Sequence, residues 1–270
     1  MFNKLLTSSN KALAIIFCEK KFCTINDAIN QYVKSIVSEK TPYNDQDENC
    51  KKIDNRTYRD LIVFDGSKKT IKKEDINFIQ KQFSFAPFEK CSKRIYILKN
   101  VDNSTIEAMN SLLKFIEEPP KATYAILTTK NISKVIPTIR SRCQIFHLSS
   151  NLNEFENRIK LFNLDKNKKK VIFNTYFDFD EFKNDYDNGI FDLYYNFVNK
   201  LVDNYSNLSK IKELSMEFAK FDYNEIKKIL QFACTLIENK KIEISLIINN
   251  LNLYPTKILI FNKLWEMLDE

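Results

Sequence analysis

Arg142 lies in the run Pro137-Thr-Ile-Arg-Ser-Arg-Cys-Gln144, where residue type and spacing point to phosphate chemistry. A guanidinium is planar, permanently charged and able to pair bidentately with phosphate oxygens. Supplied by a neighbouring chain, it stabilises charge building on a transferring phosphoryl group, and such fingers contribute about 10³ to 10⁵ in rate. Pro137 suits the first position of a short helical turn, which sets Arg142 just ahead of a strand over Ile145 to Leu148. Ser141 and Cys143 flank it, and Arg140 lies two residues before it. An arginine on an arbitrary surface pairs with a local carboxylate instead, so the surrounding pattern carries the weight.

The chain lacks the residues for holding a triphosphate itself. A phosphate-cradling loop needs G-x-x-x-x-G-K-[ST], because backbone amides must approach the phosphates with no Cβ in the way. The sequence has only Gly66 and Gly189, and its first strand is followed by Cys18-Glu-Lys-Lys-Phe-Cys-Thr24, with a carboxylate that repels phosphate. After the third strand an ATPase carries paired acids, one on Mg²⁺ and one orienting the attacking water. Lys99 and Asn100 stand there, and neither side chain can do either job. Asp102 lies past the strand end, and Glu117 and Glu118 close a helix, so these carboxylates read as structural. Thr128 and Thr129 fall where a phosphate-sensing residue would sit and, with no nucleotide beside them, read as capping or packing residues. No cofactor and no metal is expected.

The elements that must position these residues are legible from apolar patterning. Five short runs, Ala14 to Phe17, Leu61 to Phe64, Ile95 to Leu98, Ala125 to Leu127 and Ile145 to Leu148, are continuous rather than alternating and too short for helices. Helical patterns separate most of them, which predicts a parallel sheet covered on both faces. The clearest helix is predicted to start at Ser104 with Glu107 completing a capping box, to bury Ile106, Met109, Leu112, Leu113 and Ile116, and to stop at Pro119-Pro120. Beyond Ser149 only amphipathic helices remain, around Phe155 to Leu161, Phe191 to Val202 and Ile226 to Ile237. The fold class is therefore α/β plus all-α: an α/β domain over 1–150, a small helical domain over 151–189 ending at the breaker Asp185-Tyr-Asp-Asn-Gly189, and a helical bundle over 190–270.

Composition narrows the function classes. The net charge is +7, but only six of 42 basic residues are arginine, and scattered lysine is usually a solvated surface. Autonomous DNA binding is thus weakly supported. Six dispersed cysteines without C-x-x-C pairs fit reduced cytosolic thiols better than a zinc site or a disulfide framework. The run Ala12 to Cys18 ends in Glu19-Lys-Lys21 with no small-residue cleavage site and reads as a buried strand. No apolar run approaches the roughly 20 residues of a bilayer span, so a cytoplasmic protein is expected.

The sequence Leu112-Leu-Lys-Phe-Ile-Glu-Glu-Pro-Pro120, then a strand carrying Thr128-Thr129, then Ile139-Arg-Ser-Arg-Cys-Gln144 resembles the clamp-loader subunits of DNA polymerase III. With the phosphate loop and acidic pair both degenerate, the chain is most similar to the delta prime branch. The resemblance covers residues 1 to about 150. It implies an AAA+ type five-stranded domain, a three-helix lid and a helical collar. It also implies that Arg142, with Ser141 and Cys143, is a finger acting in trans in a subunit that hydrolyses nothing itself. The partners implied are the gamma/tau and delta subunits and, through the assembly, the sliding clamp and primed DNA. Phe191, Leu193, Phe197 and Leu201 are expected on the collar's association face. Many members carry four zinc-binding cysteines before the second strand, where this chain keeps only Cys50. An active gamma/tau-type ATPase and a stand-alone DNA-binding protein of the same fold are the alternatives.

Overall fold

The apolar runs become strands that pair along their length, and the three central ones, β1, β3 and β4, are buried from both sides. In the computed structural model, which describes residues 2–8, 11–38, 40 and 42–269, the chain divides into two units, Met1–Asn151 and Leu152–Glu270. The first contains α1 (Phe2–Thr7), β1 (Ala14–Cys18), α2 (Ile25–Val37), α3 (Glu48–Asp54), β2 (Leu61–Asp65), α4 (Lys73–Ser84), β3 (Arg94–Lys99), α5 (Ile106–Glu117), β4 (Thr123–Thr129), α6 (Pro137–Arg140) and β5 (Gln144–His147). The strands form one sheet in the order β2-β3-β4-β1-β5, every pair parallel. Ile15, Phe17, Ile95, Ile97 and Ile126 pack on one face with Ile29, Tyr32 and Ile36 of α2 and Ile53 of α3. Ile16, Tyr96, Leu98 and Leu127 pack on the other face with Ile76 and Ile79 of α4 and with Met109, Leu112 and Phe115 of α5. Each such buried side chain contributes about 1.5–3 kcal/mol relative to exposure, so the sheet is the stability centre of this unit.

The start of α5 differs from expectation by one residue. Thr105, not Ser104, is the cap, its hydroxyl accepting from the Ala108 amide at 3.2 Å. Ser104 is drawn into an isolated parallel bridge with Ile71, which removes it from capping geometry and leaves its buried Oγ without a hydrogen-bond partner. Ile106 consequently falls in the exposed first turn at 69% accessibility, while Ala108 and Phe115 join Met109, Leu112 and Ile116 in the core. Thr105→Ala is expected to cost about 1 kcal/mol in urea unfolding. Ser104→Ala, which removes an unsatisfied hydroxyl, is expected to cost less. The reverse order would contradict this assignment.

The second unit is all helix: α7 (Leu152–Lys160), α8 (Lys166–Thr175), α9 (Phe179–Asp187), α10 (Ile190–Asn204), α11 (Leu208–Phe218), α12 (Tyr223–Leu236), α13 (Lys241–Asn249) and α14 (Lys257–Asp269). Gly189 breaks α9 from α10 with φ of 72°, a left-handed value that glycine adopts without a Cβ penalty. Helices on both sides of it share an aromatic core: Phe182 of α9 meets Phe191 of α10 at 5.7 Å, and Tyr176 meets Phe232 of α12 at 6.2 Å. Asp185, expected in a breaker, is instead a buried helical residue that accepts from the Tyr176 hydroxyl and pairs with Lys228 at 2.6 Å. Phe191, Phe197 and Leu201, expected on an association face, fill the unit's own interior; of that set only Leu193 is exposed, at 46%. Their helix faces α12 and its neighbours, so their apolar surface is already spent within the chain. Among the described residues no helix is long and apolar enough to cross a membrane.

Candidate functional site

At the C-terminal edge of the sheet, where the loop after β1 and the ends of β3 and β4 converge, protein groups bond to one another. Lys99 reaches the first turn of α2 and donates to Asn26 Oδ1. Its ammonium therefore lies at the helix that follows β1, where a phosphate-binding loop would present an anion. Asn100 adopts a left-handed conformation (φ 51°, ψ 51°). Its amide donates to Thr128 Oγ1 at 3.0 Å, and its Nδ2 donates to Asp65 Oδ1 at 3.1 Å. The turn is crowded: a Cβ on Gly66 would stand 2.5 Å from the Asn100 carbonyl oxygen, so glycine is required by close backbone approach. Burial raises the Asp65 pKa, but hydrogen bonds from Ser67 and Asn100 and the nearby Lys99 charge outweigh it and hold the carboxyl below its ordinary range.

Thr129 completes the network by donating to Asp102 Oδ1 at 2.9 Å while accepting from the Asn131 amide at 3.0 Å. Asp102, Thr128 and Thr129 are thus tied into one hydrogen-bonded group with Asn100 and Asn131. In the β1–α2 loop, Glu19 is buried and its amide bonds the Thr129 carbonyl at 2.8 Å. Phe22 takes a positive φ of 64° with Lys21 over its ring. A buried carboxylate in the loop after β1, an ammonium at the end of β3 and a loop without glycine do not fit a Mg²⁺-nucleotide. Sequence reasoning found Lys99 and Asn100 but missed Asn26 and Asp65, which carry no motif and are defined only by strand register.

Arg142 lies at the other end of the strands. It follows α6 and precedes β5, whose first residue pairs with Ile15 near the start of β1, while Lys99 is level with Phe17 and Phe146. With about 3.3 Å per residue, the arginine and the Lys99–Asn100 turn are separated by on the order of 10 Å or more along the strand direction. Ile139 is fully buried and Cys143 nearly so, anchoring the turn from both sides. Burial pushes the Cys143 thiol up to about 12, so it is a neutral packing group. The Arg142 side chain is 40% exposed and pairs with Glu117 of α5 at 2.6 Å. Nη1 also donates to the Thr138 carbonyl at 3.1 Å and to Ser141 Oγ at 3.3 Å. Arg140 has its Nε buried without a partner. Glu117 is the site residue that sequence reasoning left as merely structural; its place at the end of α5, next to the proline stop, was the available signal.

Five parallel strands in this order, flanked by helices on both faces, give the first unit an AAA+ type fold. A gamma subunit-related protein of DNA polymerase III from Thermotoga maritima shares the fold, with a TM-score of 0.68 over 99% of this chain and 98% of that one at 14% identity. Residues 1–151, more than half of the chain, match the model of the family described as DNA polymerase III, delta subunit, and the chain belongs to that family. It is 26% identical to an uncharacterized Mycoplasma pneumoniae protein, over 94% of this chain and 98% of that protein. It is 42% identical to the DNA polymerase III subunit delta' of Bacillus subtilis over 96 residues, 36% of this chain and 29% of the relative. A match to the Escherichia coli subunit tau is 34% identical over 38% of this chain and 16% of that protein. The chain thus aligns with less than a third of either named relative.

Proposed function

We propose that this chain is a non-catalytic, delta prime-type subunit of a bacterial clamp loader that lends Arg142 to the ATP site of a neighbouring subunit. The observation that carries the reading is the separation of the two ends of the sheet. The arginine stands at the end of the strands opposite the Lys99–Asn100 turn and its side chain is 40% exposed, which supports a phosphate partner outside this chain's own degenerate site. The Lys99 contact with Asn26 supports the loss of the chain's own site, because an ammonium there cannot hold Mg²⁺. Gamma/tau and delta subunits are the partners, with clamp and primed DNA engaged through the assembly. Residues 151–189 serve as lid and 190–270 as collar. Its exposed apolar residues, including Leu193, Leu208, Met216 and Leu246, are the ones available for association.

Titration of the isolated chain with Mg·ATP is expected to show no binding in the micromolar range. Micromolar affinity would exclude the reading and favour an active gamma/tau-type subunit. Salt-dependent duplex binding by the isolated chain, as strong as that of a whole loader, would favour a stand-alone DNA-binding role.

A further inference from the structure

We propose that Glu117 is a positioning residue for Arg142, fixing the guanidinium in the orientation from which it meets a neighbour's phosphate; the inference rests on the finger reading above. Glu117 is the last residue of α5, a helix whose preceding turn is sunk in the sheet core through Leu112, Phe115 and Ile116. Pro119 and Pro120 stop the helix there, so the carboxylate has a fixed base. On the arginine side, the α6 turn is pinned by buried Ile139 and Cys143. Both members of the pair therefore project from rigid elements.

The contacts hold the guanidinium at both of its terminal nitrogens. Nη2 meets Glu117 Oε1 at 2.6 Å, while Nη1 bonds the Thr138 carbonyl and Ser141 Oγ at 3.1 and 3.3 Å. Ser141 is itself oriented by donating to the Thr138 carbonyl at 3.0 Å. These contacts fix a side chain that otherwise rotates about several bonds, which lowers the entropy lost when it engages a phosphate. The magnitude decides between a positioner and a lock. Both side chains are 40% exposed, and exposed ion pairs are weak and screened. Glu117 can aim the arginine, but it cannot withhold it from a triphosphate that offers a doubly charged, bidentate partner. Glu118, the next residue, is solvent-exposed and forms no ion pair among the described residues, and it provides the internal control.

The test is steady-state ATP turnover of the complete loader, reconstituted with its gamma/tau and delta subunits, clamp and primed DNA. Glu117→Ala is expected to lower the turnover contributed by the site adjoining this chain, taken as the part lost in Arg142→Ala, about two- to five-fold, the fold-change matching the upper range of an exposed pair, with the KM for ATP and the chain's thermal midpoint unchanged. Glu117→Gln, which keeps an oxygen for Nη2, is expected to recover most of the loss, and Glu118→Gln to have none. In an Arg142→Ala background Glu117→Ala is expected to add nothing, because it acts only through the arginine. A rise in turnover, no change, or an equal loss without Arg142 would each overturn the proposal while leaving the finger reading standing. Loss of the finger reading is recognised separately, by wild-type turnover in Arg142→Ala alone.

Discussion

With Arg142 replaced by alanine, the reconstituted loader is expected to assemble normally and to lose most of the ATP turnover contributed by the site adjoining this chain. A trans guanidinium contributes about 10³-fold or more in the systems where its removal has been quantified. The total rate should therefore fall to what the remaining sites supply. Stability should barely move, because the Arg142–Glu117 pair is 40% exposed on each side and such pairs contribute about 0.2–1 kcal/mol. Arg142→Lys is expected to restore little: an ammonium keeps the charge but lacks the planar fork that spans two phosphate oxygens. Turnover of the alanine variant equal to wild type would remove the arginine from the chemistry. Failure to assemble would instead place Arg142 in a subunit contact.

The second large effect lies far from that arginine in sequence. Phe182 is fully buried and has ring centroids of Phe162, Tyr176, Tyr186 and Phe191 within 5.2 to 5.7 Å. Phe182→Ala removes that packing and leaves a cavity, a change that costs about 3–5 kcal/mol. With an m-value of roughly 1–3 kcal/mol/M, the urea midpoint should fall by on the order of 1 to 5 M. Trp265, the single tryptophan, is in α14 and donates its indole N–H to the Tyr205 carbonyl at 2.7 Å, so its fluorescence reports the helices after Gly189. A shared aromatic core predicts that a lesion before Gly189 shifts the Trp265 transition together with the loss of helical signal. An unmoved Trp265 transition, with an early partial loss of helix, would mean that residues 152–187 unfold on their own.

What was readable in the linear sequence is confined to features whose physics is local. Five continuous apolar runs announced a buried parallel sheet, because strands covered on both faces need no polar alternation. The end of α5 was equally plain at Pro119-Pro120. Its beginning was not: Ser104 and Thr105 are both good caps, and the choice fell to Thr105 because Ser104 is held in a bridge to Ile71, a partner that no local window contains. The faces of α10 show the same limit. Sequence reasoning put Phe191, Leu193, Phe197 and Leu201 together on an association face, but such apolar residues suit a subunit interface and a chain's own core alike, and the packing of α12 drew all but Leu193 into the core.

The sequence alone determined that Arg142 sits between a serine and a cysteine at the head of a strand, and that an ammonium and an amide, Lys99 and Asn100, follow the third apolar run. Residue identity is enough for both, since no fold turns an ammonium into a metal ligand. Only the tertiary structure decided that Lys99 closes onto Asn26, 73 residues away, that Arg142 is held by Glu117, and that the two sites occupy opposite ends of the sheet. Those facts depend on strand order and register, which come from the joint packing of helices on both faces and not from any spacing along the chain.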